Sequence, residues 1–218
     1  MRINADFSKP AFVLPDQYEW LPSPQAGVER VMLDRVGEEK ARATSVVRYA
    51  PQSFFPVHSH PGGEEILVLS GTFSEDNRHY PAGWYLRSPP GSSHRPFSEE
   101  GVVIFVKLWQ MGGEETEEVR IDTNNPANWV VEPEREYCPL YSGSSENVRL
   151  VRLPAGASVF SGSMPGAEIF VLQGSVLDRQ RTYSSGSWVR LPAGVHPDFA
   201  AGGQGAKFYI KTGRLGEH

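Results

Sequence analysis

The second half of this chain repeats the first. Val47-Arg48 falls on Val151-Arg152 at an offset of 104 residues, and Leu69-Ser70-Gly71 falls on Leu172-Gln173-Gly174 at an offset of 103, so one copy carries a single extra residue. The shorter offset then holds for Gly83 on Gly186, Trp84-Tyr85 on Ser187-Trp188, Arg87 on Arg190, Pro89 on Pro192 and Gly91 on Gly194. A fixed internal period decides architecture before any local feature does, because each copy has to be a folding unit of the same kind. The 218 residues are therefore expected to divide into two domains, 1–112 and 113–218, each of about a hundred residues and together large enough to bury a core without covalent staples.

Glycine (22) and proline (18) punctuate short runs rich in Val, Ile, Leu, Phe and Tyr. That is the texture of an all-β sandwich or barrel, and no long segment carries the 3.6-residue apolar period of a helix. Residues 18–45 are expected to supply the opening strands of the first barrel and 137–149 those of the second. Between the copies, residues 110–136 are acidic and turn-rich, as in a solvated face or linker.

Composition excludes several function classes. A net charge of −5 gives no basic face for nucleic acid or an anionic membrane. No stretch approaches the roughly 20 apolar residues of a membrane span, and the polar start MRINADFSKP has no apolar signal core, so a cytoplasmic protein is expected. Cys138 is the single cysteine, which rules out an intrachain disulfide and a cysteine-cluster metal site and leaves a half-buried structural thiol. Neither a strand-linked Gly-x-Gly-x-x-Gly nor a Gly-Lys-Ser/Thr loop is present for hydride or phosphate chemistry.

Four residues of the first copy point to a metal: His58, His60, Glu64 and His94. In a strand, side chains alternate faces, so His58 and His60 point together. The turn Pro61-Gly62-Gly63 folds the chain back and lets Glu64 open the next strand beside them, and a second turn at Pro89-Pro90-Gly91 precedes His94. Three neutral imidazoles and one carboxylate suit Fe²⁺, Mn²⁺, Zn²⁺, Ni²⁺ or Cu²⁺ and not the oxygen-seeking Ca²⁺ or Mg²⁺. Glu65 is turned to the other face by alternation, and His79 is expected in a solvated loop. Phe54, Phe55, Tyr85, Phe97 and Phe105 lie on or near these strands as candidate pocket walls.

This pattern resembles the cupin superfamily. His58-Ser59-His60, three residues, Glu64, six residues and Gly71 match its first motif; Gly83, five residues, Pro89-Pro90-Gly91, two residues and His94 match its second. Gln52 replaces the first motif's leading glycine and Ser98 the second motif's closing asparagine, neither a metal ligand in cupins. The resemblance implies two tandem double-stranded β-helix (jelly-roll) barrels. Carried forward by 103, the ligand positions become Ser161, Ser163, Ala167 and Pro197, with Glu168 and His196 one residue out of place. The second barrel is therefore expected to bind no metal and to serve by its shape.

Residues 40–110 look most like the cupin domain of ChrR-type anti-sigma factors, which respond to singlet oxygen and hold zinc. That resemblance implies a sensory or regulatory protein with Zn²⁺, and Fe²⁺ as the next candidate, answering to a small molecule or reactive oxygen species. The family's N-terminal sigma-binding module, with its own His/Cys zinc site, has no counterpart in this sequence. A stand-alone sensor or adaptor is thus expected in place of a sigma-factor inhibitor, as a homodimer or an intramolecular pair of barrels. Cupins with such ligands also include iron- or copper-dependent dioxygenases of small diketones, the alternative reading. A third is a metal that only pins strands together.

Overall fold

A computed structural model of the chain describes residues 1–38, 40–213 and 215–216. Among the described residues its regular structure is antiparallel strand, apart from two single-turn 3₁₀ segments at Pro15–Gln17 and Pro126–Asn128. Among the described residues no helix is long and apolar enough to cross a membrane.

The chain forms two compact units. In the first, the strands run in the order Val28–Gly37, Ala41–Tyr49, Val102–Leu108, Glu64–Glu75, Trp84–Ser88, Val119–Asp122. A short separate pair, His58–His60 with Ser92–His94, lies beside them. The strand Glu64–Glu75 serves two sheets: its first half pairs with Val102–Leu108 and Trp84–Ser88, and its far end with Arg78–Pro81 and Pro96–Ser98. It turns at Gly71, where φ is +70° and a Cβ would lie 2.1 Å from the Gly101 carbonyl oxygen. Only glycine accommodates both conditions. Ile66, Val68, Leu86, Ile104 and Val106 point inward and pack with Val28, Phe73 and Tyr80 into the unit's core.

The second unit is built in the same register. Its order is Arg135–Ser142, Glu146–Leu153, Ala200–Gly213, Ala167–Leu177, Trp188–Leu191, Ala11–Val13. Glu64 pairs with Ser88 in the first unit and Ala167 with Leu191 in the second, while Ser92↔His60 becomes Val195↔Ser163. Gly174 repeats the turn of Gly71 with φ +66° and the same 2.1 Å approach, here to the Gly205 oxygen. A row of buried charges recurs on the face turned from each core, Glu65, Arg87 and Lys107 in one unit and Glu168, Arg190 and Lys211 in the other. Arg87 holds Glu65 at 3.1 Å, and Lys211 holds Glu146 at 2.7 Å.

The boundary is not the expected cut at residue 112. Residues 6–18 belong to the second unit, where Ala11–Val13 pairs with Trp188–Leu191 and Phe12 meets Tyr183 edge-on at 6.2 Å. Residues 113–124 belong to the first, where Val119–Asp122 pairs with Trp84–Ser88. In each unit the sheet edge beside that strand takes a partner from outside the repeat, which covers otherwise unpaired backbone groups. The stretch 110–136 is therefore not simply a solvated linker: besides that strand it supplies Val130–Glu132 to the second unit, and Glu115 bonds the buried Arg87 at 2.6 Å.

Candidate metal centre

His58 and His94 face each other in register across the short strand pair, and His60 stands on the same side as His58. The three rings form a triangle with centroid separations of 4.8, 5.1 and 4.7 Å. One nitrogen from each lies within 4.8 Å of the others. The expected turn follows, with the Gly63 N–H donating to the His60 carbonyl at 3.1 Å and φ of +75° at Gly63. It delivers Glu64 so that Oε2 sits 3.4 Å from both His60 Nε2 and His94 Nε2. The structure thus brings all four sequence-selected residues together.

Glu64 Oε2 is buried without a hydrogen-bond partner, and an orphaned carboxylate oxygen is costly unless something electropositive answers it. His58 donates from Nδ1 to the Pro56 carbonyl at 2.8 Å, and His94 donates from Nδ1 to Glu75 Oε2 at 2.6 Å. In both rings that leaves Nε2 as the unprotonated nitrogen, the tautomer a metal requires, with His94 Nε2 lying 2.9 Å from His60 Nε2. Burial, reinforced by the two neighbouring rings, pushes His60 down to about 3, and burial lowers His58. Burial raises Glu64 to about 7. Burial also opposes charge on His94, but the Glu75 hydrogen bond and the Glu64 and Glu75 charges outweigh it and raise that group. Three ring nitrogens converging with a buried carboxylate oxygen fit a divalent transition ion.

Two functional residues have no counterpart in the sequence reading. Glu75, at the far end of the bent strand, orients His94; its other oxygen accepts from Arg120 at 2.8 Å and Tyr80 at 3.2 Å. Burial would raise Glu75, but these bonds and charges hold it down at about 2. Arg120, from the supposed linker, also reaches Ser88 Oγ at 3.0 Å. Of the five proposed aromatic walls, Phe55 lines the cavity beside the histidines together with Tyr49, which had not been singled out. Phe73 lies 6.0 Å from the His94 ring. Tyr85 and Phe105 stand on the Glu65 face, while Phe54 and Phe97 line a separate surface depression. His79 is exposed but lies in a strand, not a loop, with Nδ1 2.9 Å from Ser74 Oγ.

The cavity against His58, His60 and Glu64 measures about 340 Å³ and has apolar walls from Val28, Val47, Ile104 and Val106. A smaller polar one of about 210 Å³ adjoins His60 and His94 on the side of Arg78, Arg120 and Ser92. In the second unit Ser161, Ser163 and Pro197 are exposed, Ala167 is buried, and His196 Nε2 lies 3.0 Å from the Pro192 carbonyl oxygen.

A family model described as the ChrR cupin-like domain matches residues 8–112. No curated protein matches the sequence. Solved structures share the fold over nearly the whole chain at low identity. A proposed dioxygenase of Nostoc punctiforme superposes with a TM-score of 0.72 at 13% identity, covering 100% of this chain and 84% of that one. A bacterial pirin of Escherichia coli in complex with nickel(II) gives 0.69 at 10%, covering 94% and 98%. The Bacillus subtilis oxalate decarboxylase, studied for its Mn(II) centres, gives 0.63 at 11%, covering 93% and 77%.

Proposed function

Residues 8–112 match the ChrR cupin-like domain of the cupin superfamily, and on that premise we propose that the protein is a regulatory cupin binding one divalent transition ion, zinc first and iron(II) next, through His58, His60, Glu64 and His94. The observation that carries this reading is the buried, unpartnered Glu64 Oε2 facing two imidazole nitrogens at 3.4 Å. The bound ion would supply Lewis acidity, or with iron a redox centre. The chain's own part is to aim three imidazoles inward, to disfavour charge on His58 and His60 by burial, and to hold Glu75 behind His94.

The test is metal content after purification. His60→Ala should lose stoichiometric metal, while Ser163→Ala, at the equivalent position of the second unit, should retain it. Metal kept by the His60 variant would refute the ligand set.

The cavity beside the histidines favours a second reading, a non-haem dioxygenase of a small diketone. Four protein ligands close a tetrahedral zinc site but leave two positions on octahedral iron. Oxygen uptake by the iron-loaded protein with pentane-2,4-dione would replace the regulatory reading with this one. Zinc release under a singlet-oxygen photosensitiser, without oxygen uptake in the dark, would support the regulatory one.

A further inference from the structure

From the walls of the larger cavity we infer that the first unit binds a small carboxylic acid, its carboxylate on Arg30 and Arg35 and its apolar body against Val47, Ile104 and Val106. The inference adds a ligand class to the metal-centre reading and rests on it only for the end of the cavity that His58, His60 and Glu64 form. Arg30 and Arg35 line the same cavity from the strand Val28–Gly37. Arg30 Nε is buried with no hydrogen-bond partner. Arg35 is buried and donates to the Glu38 carbonyl; burial and the positive charge of Arg30 disfavour its own charge, with the Glu38 carboxylate opposing them. The one carboxylate among the residues lining this cavity, Glu64, sits at its metal end, so two guanidiniums at the other end favour an added anion, and a carboxylate matches their fork of donors.

The internal repeat separates function from framework. The charges of the outer row, Glu65, Arg87 and Lys107, persist in the second unit as Glu168, Arg190 and Lys211. The cavity arginines do not. Arg30 pairs with Val47, and Val151, the repeat equivalent of Val47, pairs with Tyr137. Arg35 pairs with Ala43, whose equivalent Asn147 pairs with Ser142. Both arginines are thus missing from the unit that also lacks the histidines and Glu64, as expected of groups serving a ligand beside the metal centre. A volume of about 340 Å³ suits an acid of some ten heavy atoms.

Calorimetric titration with hydrocinnamate and with its neutral amide, hydrocinnamamide, tests this on the full chain, with metal content measured in each sample. The acid should bind the native protein at least about tenfold more tightly than the amide. Arg30→Gln and Arg35→Gln should each lose that preference while keeping their metal and their weak affinity for the amide. Equal binding of acid and amide by the native protein, or an undiminished acid preference in Arg30→Gln, overturns the carboxylate site. Native protein without metal that still prefers the acid through Arg30 would sink the metal reading and leave the carboxylate site standing.

Discussion

Replacing Glu75 should weaken metal binding without touching a ligand. Its Oε2 takes the His94 Nδ1–H at 2.6 Å, and its Oε1 is fixed by Arg120 and Tyr80. Deleting the carboxylate frees the ring to rotate and lowers the basicity of Nε2. A charge-assisted hydrogen bond of this kind is worth about 1.5–3 kcal/mol, which converts to roughly 10–100-fold in affinity, the range found when such outer partners are removed. Glu75→Ala should lie at the upper end and Glu75→Gln, which keeps an acceptor oxygen, near the lower. Competition for zinc against a chromogenic chelator reads this out directly. Asp178 occupies the same place in the second unit, accepting from Tyr183 at 2.8 Å as Glu75 does from Tyr80; Asp178→Ala should leave zinc affinity unchanged. Glu75→Ala binding zinc within twofold of native protein would refute the reasoning. The acid limb of stability gives a check free of metal. A carboxyl held at about 2, against its ordinary 4.5, contributes fully above pH 4.5, and that contribution is lost as pH falls towards 2. Chelator-treated Glu75→Ala should therefore be less stable than native protein at pH 6, by a margin that shrinks on acidification.

Two smaller predictions concern the framework. Gln52 has φ of +60°, and Gly156 fills the equivalent position in the second unit at +75°. The left-handed penalty of about 1–2 kcal/mol exceeds glycine's extra chain entropy of roughly 0.5–1, so Gln52→Gly should raise stability by about 0.5–1 kcal/mol in chemical denaturation; lowered stability would contradict this. Cys138 is fully buried, and burial pushes its thiol up to about 11. Iodoacetamide at pH 8 should leave it unmodified in the native protein and alkylate it in denaturant; rapid native labelling would show the burial to be wrong.

The four ligand candidates were legible because they belong to local patterns: a period-two pair, a tight turn and a second turn, each readable within a dozen residues. The all-β class and the repeat were legible for the same reason. Glu75 and Arg120 were not, since one reaches the site through a strand bent at Gly71 and the other from a segment whose acidity reads as solvent-facing. Arg30 and Arg35 were hidden likewise: a charged residue in a strand suggests the outer face, and here both line the cavity. The membership of residues 6–18 was invisible because a three-residue edge strand carries no periodic signal.

That early strand has a consequence for how the molecule is made. Ala11–Val13 is synthesised before the strands from Val28 to Asp122, yet its hydrogen-bonding mate Trp188–Leu191 is synthesised only after them. The trailing barrel cannot close until Trp188–Leu191 and Ala200–Gly213 are made, whereas the leading one has all its strands by Asp122 and is free to fold first. Neither barrel is a contiguous stretch of chain, so a fragment cut at the midpoint would strip an edge from one and orphan a strand beside the other.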